Sequence, residues 1–455
     1  MKGKTGNGNH GKNGRKNSVL FPVGRQNIAF LNSQHFAFLA ADPRHSVFMR
    51  RGKISFDEII FAWIPKKQGN FAIQNPCSMA IRIVHTADNH IGLTFRQYPE
   101  LSVQLQAERI AALGRIVTFA NARQAHFLVI AGDLFDKISV GVTEIRQTVS
   151  ELKKFQGQAV LVLAGNHDFY DPGTENKLWK EFGNATREHD QIRMLLQPEI
   201  LSFECEGEGI RFYACPCPSK HGENPVNSWV SEASKPEGDW HLGIAHGNVE
   251  GIGLDADQRY FNMKQQDLKN AGVHTWLLGH IHVPFPEPGF AGTPAFFMSG
   301  IHTPDSVKVK HPGNAWLLEL DEKKNIRFES FCPGSIRFER LHMELGRVGH
   351  NTEYLKKQVN DLASGGLILE LVLSGRLPAE EHRSLAAWLE QKSKEFLCIS
   401  LDSDDLHEEP DLSKLSRHWP EGSLPFDLIQ ELLAENPQGE DALLVMELLE
   451  NHRNK

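Results

Sequence analysis

After residue 80, short apolar runs alternate with stretches in which apolar residues recur at helical spacing. The runs at residues 81–86, 127–131, 159–164, 241–245 and 275–278 predict strands of one sheet. Between the first two, Ile110, Leu113, Val117 and Ala120 recur every three or four residues, so they form the apolar face of a helix that covers the sheet. Strands that alternate with helices predict an α/β fold.

Further apolar segments, at residues 210–214, 295–298, 315–320 and 326–331, are separated by short turns. They predict a second sheet packed on the first, and hence two packed mixed β-sheets flanked by helices. After residue 335, the pattern predicts strand 336–343, helix 352–362, strand 367–373, helix 379–392 and strand 396–401. This segment is expected to form a smaller α+β domain.

The ends of the chain have a different character. Residues 1–78 show no sustained periodicity, so they are expected to be a disordered extension, or one outside the native protein if Met79 is the true start. An acidic stretch at 402–409 predicts a linker, followed by two amphipathic segments at 425–433 and 440–449. The predicted domains are therefore 79–335, 336–405 and a linker with helical tail at 406–455.

Composition is that of a globular protein, with 40% apolar and 23% charged residues. No apolar run is long enough to span a membrane, and the six cysteines are spaced irregularly, which favours a reducing cytoplasm. Residues 1–78 hold 12 Lys and Arg against 3 Asp and Glu, which leaves 37 against 54 of the totals of 49 and 57 for the remainder. So acidic a remainder has no global basic surface for nucleic acid.

Candidate metal ligands follow each predicted strand of the first sheet. These residues are Asp88 and His90, Asp133 and Asp136, Asn166, His167 and Asp168, His246, and His280 and His282. In α/β sheets the carboxyl ends of the strands are where ligands bind. Any one of these motifs is weak alone, but five in series favour one shared site over coincidence. If the strand continues, alternation points Asp88 and His90 the same way.

Carboxylate, imidazole and amide oxygen together suit manganese, iron or zinc. Two metal ions about 3.5 to 4 Å apart need a ligand that reaches both, and a carboxylate can bridge them. Asp133 is the natural bridge. Four other histidines, without a partner at ligand spacing, are predicted to be structural: His85, His126, His241 and His274.

The ordered set Asp-x-His, Gly-Asp, Gly-Asn-His-Asp, His and Gly-His-x-His spans roughly residues 81–283 and resembles the calcineurin-like metallophosphoesterase superfamily. Residues 85–92, 131–136 and 278–282 look most like SbcD-type DNA repair exonucleases. Asn89 and residues 137–140 depart from the pattern of that subgroup, and this departure concerns the substrate rather than metal binding.

This resemblance implies a metallophosphoesterase four-layer sandwich with two divalent ions, above all Mn²⁺, with iron or zinc as alternatives. It implies that Asp88, His90 and His282 hold one ion, that Asn166, His246 and His280 hold the other, and that Asp133 bridges them. It also implies that His167 contacts the phosphoryl group or acts as general acid, and that Asp136 orients it. Asp168 is the rival orienter, with a turn role as the alternative.

The function implied is a metal-dependent phosphodiesterase, a DNA exonuclease or endonuclease acting on duplex or hairpin ends in double-strand break repair. Its partner would be a coiled-coil SMC-like ATPase, and a homodimer could form through helices near residues 97–123. The α+β domain resembles a capping domain over the DNA, and the last segments dock on the partner or on their own domain. Alternatives are a cyclic nucleotide, nucleotide or phosphoprotein substrate, or a catalytically silent scaffold.

Overall fold

The computed structural model describes residues 19–21, 80–252, 259–287, 289–290, 292–346, 350–408, 419–435 and 440–453. The strands are β1 (Val19–Phe21), β2 (Ile81–Thr86), β3 (Phe127–Ile130), β4 (Ala159–Leu163), β5 (Ile192–Leu195), β6 (Glu199–Cys205), β7 (Glu208–Cys215), β8 (Trp240–His246), β9 (Thr275–Gly279), β10 (Phe296–Met298), β11 (Ala315–Leu320), β12 (Ile326–Phe331), β13 (Arg337–Leu345), β14 (Leu367–Leu377) and β15 (Cys398–Glu408). The α-helices are α1 (Ser102–Ala122), α2 (Val142–Leu152), α3 (Lys177–Thr186), α4 (Gln265–Asn270), α5 (Thr352–Leu362), α6 (Ala379–Lys392), α7 (Leu424–Glu435) and α8 (Glu440–Arg453).

The first sheet has six strands in the order β12-β11-β2-β3-β4-β5. Strands β2 to β5 are parallel, and β11 and β12 add an antiparallel edge. Every residue of β3 and β4 is buried, because parallel strands linked by helices are covered on both faces. This is why these strands are continuous apolar runs in the sequence.

The second sheet has five strands in the order β10-β9-β8-β7-β6, all parallel except β6. Its inner face shares a core with the first sheet, in which Phe127 packs edge-to-face against Phe212. Helices α1, α2 and α3 cover the outer face of the first sheet, and α4 with a short helical turn at Ser228–Glu232 covers that of the second. The predicted fold, two packed mixed sheets flanked by helices, is confirmed.

The predicted assignment of strands to sheets was wrong. Strands β8 and β9 belong to the five-stranded sheet, whereas β11 and β12 lie in the six-stranded one. Both sheets are largely parallel and buried, so an apolar run does not reveal which sheet it joins. The sequence also missed β5 and β6, because β6 is mostly exposed and β5 has only four residues, one of which is the exposed Arg193.

The C-terminal α+β unit contains a four-stranded sheet in the order β1-β15-β14-β13, with α5 and α6 packed on it. The bounds of α5 and α6 are the predicted ones. Strand β15 continues to Glu408, through the acidic residues expected to form a linker, because β14 pairs with it along that length. Val19–Phe21 lie in the stretch expected to be disordered and instead pair antiparallel with β15. The rest of that expectation falls outside the described residues.

A seam joins this unit to the loop that follows β2. Phe95 and Tyr98 share an apolar cluster with Phe338 and Ile368. The Tyr98 hydroxyl donates to Glu370 Oε1 at 2.6 Å. Helices α7 and α8 pack on each other in a separate cluster. In the described part of the chain, no helix is long and apolar enough to cross a membrane.

Candidate metal centre

The predicted motifs converge where the carboxyl ends of the two sheets meet. Strands β2, β3 and β4 deliver one part of the set, and β8 and β9 deliver the other. The carboxylates and imidazoles fall into three overlapping groups whose ligand atoms lie within 4.8 Å of one another, and Asp133 is in two of them.

Left-handed backbone, rather than strand alternation, aims these side chains. Asp88 has φ 53°, His90 has φ 42° and Asp133 has φ 52°. Such angles are uncommon for residues other than glycine and are held only by the surrounding structure. Here Asp88 N donates to Gly132 O at 3.1 Å and His90 N to Asp133 O at 2.9 Å. The condition that the strand continues to His90 is therefore not met, since β2 ends at Thr86 as predicted.

One ligand group, hereafter the loop half, consists of Asp88, His90 and His282. The Nε2 atoms of His90 and His282 lie 3.2 Å apart. Both oxygens of the Asp88 carboxylate accept from His280 N, at 3.0 and 3.1 Å. Burial raises the pKa of the Asp88 carboxyl.

A second set of candidate ligands, hereafter the buried half, consists of Asn166, His246 and His280. The Oδ1 atom of Asn166 lies 2.9 Å from His246 Nε2 and 3.0 Å from His280 Nδ1. Asn166 and His246 are almost fully buried. Asn166, which supplies a neutral oxygen, thus sits between two imidazoles.

Asp133 lies between the two halves. Its Oδ2 is 3.3 Å from His246 Nε2 and 3.7 Å from His90 Nε2. Its Oδ1 accepts from the backbone N–H of His167 at 2.8 Å. The carboxylate therefore has one oxygen that faces both groups, which is the geometry a bridging ligand needs.

The candidate ligand atoms around His246 are arranged to bind a cation rather than to hydrogen-bond with one another. His246 Nδ1 donates to Ala131 O at 2.9 Å, so the lone pair of a neutral ring sits on Nε2 and faces the oxygens of Asn166 and Asp133. Three electron-rich atoms so close together need a cation among them. In the metal-free protein, a proton on His246 supplies this positive charge. Burial would lower the pKa of His246, but the Asp133 carboxylate outweighs burial and raises that pKa to about 9. For Asp133, burial opposes ionisation, but the imidazoles of His246 and His90 prevail and lower its pKa.

His167 lies beside Asp133, partly exposed, and its ring meets that of His90 edge-to-face at 4.7 Å. Its Nδ1 lies 2.8 Å from the backbone carbonyl of Asp136, to which it donates. The Asp136 carboxylate lies instead 3.6 Å from His90 Nδ1. Asp136 thus contacts His167 through its main chain, whereas the sequence argument had used its carboxylate.

The Asp168 carboxylate links the loops after β3 and β4 by hydrogen bonds to their backbone. Its Oδ1 accepts from Gly165 N at 2.7 Å and its Oδ2 from Phe135 N at 3.0 Å. Burial raises the pKa of its carboxyl to about 7. A Cβ on Gly165 would lie 2.2 Å from Asp133 Oδ1, so only glycine fits there. These contacts match the turn role that had been the alternative for Asp168.

Of the four histidines set aside in the sequence analysis, His126, His241 and His274 hydrogen-bond with the backbone. His126 Nδ1 accepts from Arg82 N, and His274 Nδ1 accepts from His241 N, each at 3.0 Å. His85 is buried, and burial lowers its pKa to about 3.

Two residues near the centre were missed. Cys217 Sγ donates to the carbonyl of His246 at 3.3 Å, and no sequence pattern pointed to it. Arg109 is 1% exposed on α1 and donates through Nε to Asn89 O at 2.8 Å. A charged residue on the core-facing side of an amphipathic helix was the available signal.

Comparison with known proteins identifies the domain that carries these residues. Residues 81–284 match the family model for calcineurin-like phosphoesterases. The superfamily resemblance is therefore confirmed for this part of the chain, which is a metallophosphoesterase domain. That family uses a dinuclear metal site.

Three curated relatives are similar over part of their length. YhaO of Bacillus subtilis strain 168, described as an uncharacterized metallophosphoesterase, is 25% identical over 213 residues, 44% of this chain and 48% of that protein. The DNA double-strand break repair protein Mre11 of Halobacterium salinarum is 28% identical over 120 residues, 25% of this chain and 29% of that protein. The SbcD component of the nuclease SbcCD of Escherichia coli K12 is 33% identical over 109 residues, 23% of this chain and 26% of that protein. The chain thus spans less than half the length of each relative, and the SbcD subgroup remains a prediction.

Proposed function

We propose that this calcineurin-like phosphoesterase domain hydrolyses phosphodiester bonds with two divalent ions, of which Mn²⁺ is the expected species, and that its substrate is DNA at its ends. The observation that carries the hydrolytic part is the Asp133 carboxylate, whose Oδ2 faces His246 and His90 while its Oδ1 accepts from His167 N. One side chain thus connects both ligand groups to a partly exposed histidine.

In this proposal, the loop half holds one ion, the buried half holds the other, and Asp133 contacts both. When bound, the paired ions supply an activated water and stabilise charge on the phosphoryl oxygens. The mixed set of carboxylate, imidazole and amide ligands suits manganese, with iron or zinc as the alternatives.

His167 acts on the leaving oxygen. Its backbone N–H is held by Asp133 Oδ1 at 2.8 Å, and its Nδ1 is held by Asp136 O at 2.8 Å. With main chain and Nδ1 both held, Nε2 is the ring atom left to donate a proton to the leaving group in this scheme. Asp136 is a positioning residue in this scheme.

Support for DNA as the substrate comes from similarity to two relatives, one named a DNA double-strand break repair protein and the other a component of a nuclease. By the same similarity, a coiled-coil SMC-like ATPase is the proposed partner, in a cytoplasmic complex that contains a dimer of this chain. The α+β unit is the proposed capping domain.

Helices α7 and α8 are the proposed contact with that ATPase. They share an apolar cluster with each other, while Leu424, Leu444 and Leu448 remain 82, 53 and 60% exposed. Replacing Leu444 and Leu448 with glutamate is expected to weaken capture of the ATPase while activity on a small diester stays unchanged. Unchanged capture would contradict this docking surface.

The main experiment compares substrates on chelated protein reloaded with Mn²⁺. Labelled duplex and hairpin DNA are tested beside bis-p-nitrophenyl phosphate, with and without the ATPase, and Asp133→Asn serves as the inactive control. We expect cleavage of both DNA and the diester, with DNA cleavage enhanced by the partner. Cleavage of the diester with intact DNA under both conditions would contradict the DNA substrate but leave the phosphoesterase standing.

A second candidate, a metallophosphoesterase for a small or protein substrate, is favoured by one observation. Outside the first 78 residues the chain carries 37 Lys and Arg, 49 less 12, against 54 Asp and Glu, 57 less 3, and this negative charge repels a polyanion. If this candidate is correct, a cyclic nucleotide or phosphopeptide is turned over at low ionic strength while DNA is not bound. The salt dependence of DNA binding separates the two candidates.

A further inference from the structure

We propose that Arg109 is a positioning residue of the metal centre: its buried guanidinium holds the loop that carries Asp88 and His90, and this hold sets the metal affinity of the loop half. This inference rests on the proposed metal centre, because it assigns support to one of that centre's two ligand groups.

Arg109 occupies a core position. It lies on the face of α1 that also buries Leu105, Leu113 and Ile116, and it is 1% exposed. Burying a guanidinium is strongly unfavourable unless hydrogen bonds and opposite charges compensate. At this depth the side chain cannot reach a substrate, so its effect must pass through the residues that it touches.

Its hydrogen bonds join two loops. Nε donates to Asn89 O at 2.8 Å, and Nη1 reaches Thr303 O at 3.4 Å. Ile301, two residues before Thr303, pairs with Ala87. The backbone of Arg109 is itself held in place, because His302 Nε2 donates to the Arg109 carbonyl at 2.9 Å. One side chain therefore fixes the backbone between Asp88 and His90 against a neighbouring loop.

The hydrogen bond from Arg109 acts on a segment with strained backbone. Asp88 and His90 have φ of 53° and 42°. A residue in this region is strained and stays there only when its surroundings impose the conformation. Because the Asn89 carbonyl belongs to the peptide that connects Asn89 to His90, a donor on that oxygen resists rotation of the peptide. Without the donor, we expect Asp88 and His90 to sample other orientations.

Charge and geometry make opposite predictions for Arg109. Burial lowers its pKa to about 10, with Asp305, Asp136 and Asp88 opposing that shift, so it is cationic at neutral pH. A cation this close to the ligands repels Mn²⁺. If charge dominates, removing it tightens metal binding; if positioning dominates, removing it weakens binding of one ion. The sign of the effect is thus diagnostic.

The test titrates Mn²⁺ into chelated full-length protein by calorimetry. The variants are Arg109→Met, which removes the charge and the donors, and Arg109→Lys, which keeps the charge but cannot donate to both carbonyls with the planar geometry of a guanidinium. Arg123→Met is the matched control, because Arg123 follows α1, is 41% exposed and pairs with Glu329. Wild type is expected to bind two ions. Arg109→Met should weaken one site roughly 10- to 100-fold, as loss of residues that orient ligands does, with Arg109→Lys in between and the second site within about twofold.

A second measurement needs no metal. Amide hydrogen exchange of residues 87–92 in the metal-free protein should become faster in Arg109→Lys, but not in Arg123→Met. If Arg109→Met does not fold, Arg109→Lys decides the matter by both readouts. Wild-type affinity and exchange in Arg109→Lys, or tighter binding in Arg109→Met, would overturn the role of Arg109. A wild-type protein that binds fewer than two ions would instead contradict the metal centre.

Discussion

The two halves of the metal centre are built in different ways. In the buried half, His246 is the last residue of β8 and Asn166 follows β4 by three residues, and both are at most 1% exposed, whereas His280, directly after β9, is partly exposed with φ 96°. In the loop half, Asp88 and His90 lie beyond the end of β2 with left-handed backbone, and His282 is partly exposed. Sheet hydrogen bonds therefore place His246 directly, whereas contacts between loops place Asp88 and His90.

This difference separates two ways of positioning a ligand. A side chain at a strand end inherits the rigidity of the sheet, so its place depends little on any one neighbour. A side chain on a strained loop depends on a few specific contacts, here Arg109 and the carbonyls of Gly132 and Asp133. We therefore expect the loop half to be the more sensitive to changes outside the ligands themselves.

The largest effect is expected where the comparison breaks down, at the shared Asp133. Asp133→Asn replaces an ionised oxygen that faces both halves with a neutral amide. Loss of several kcal/mol of metal-based stabilisation corresponds to a fall in kcat of about 10⁴-fold. Metal analysis should show both ions weakened. Loss of one ion alone would mean that Asp133 belongs to one half and does not bridge.

A smaller effect is expected for His167, which belongs to neither half. His167→Ala keeps the backbone N–H that Asp133 accepts, so both metal sites should remain intact. Loss of a general acid should lower kcat on DNA by roughly 10³-fold, with a smaller fall on a p-nitrophenyl diester, whose leaving group needs no proton. Equal losses on both substrates would show that His167 acts otherwise, for example by binding the phosphoryl group.

The same contrast explains how much the sequence could predict. All seven candidate ligands lie together, because residue type and the position of a strand end can be read along the chain. The identity of the sheet that β8 and β9 join, the backbone of Asp88 and the contact from Arg109 could not be predicted, since each depends on segments distant in sequence. The strand ends thus indicated where the seven residues meet, but the condition under which Asp88 and His90 would point the same way, a continuation of β2, is not met.

The next smaller effect concerns the unfolding free energy, which should differ between variants of the two halves. In metal-free protein, His246→Ala leaves the buried Ala131 carbonyl without its donor and opens a cavity, which should cost about 1 to 3 kcal/mol of unfolding free energy. His282→Ala, at a partly exposed position, should cost less than about 0.5 kcal/mol. Each variant should still lose one ion. Chemical denaturation with chelator present measures the difference, and equal costs would show that the two halves are equally rigid.

The smallest effect concerns the contact of the loop half with the C-terminal α+β unit. Tyr98, eight residues after His90, donates to Glu370 at 2.6 Å, and burial together with Glu370 raises the pKa of its hydroxyl, which therefore stays protonated. Tyr98→Phe keeps the ring in its apolar cluster and removes only the hydrogen bond, so we expect a loss of about 1 kcal/mol. Tyr354→Phe, at a position 41% exposed on α5, is the control and should change nothing. Amide exchange should quicken at residues 93–101 but not at 240–248, because the apolar cluster of the seam includes residues of the first segment and none of the second. Faster exchange in both segments would mean that the α+β unit stabilises the whole centre, and the distinction between the halves would then lie in their backbone alone.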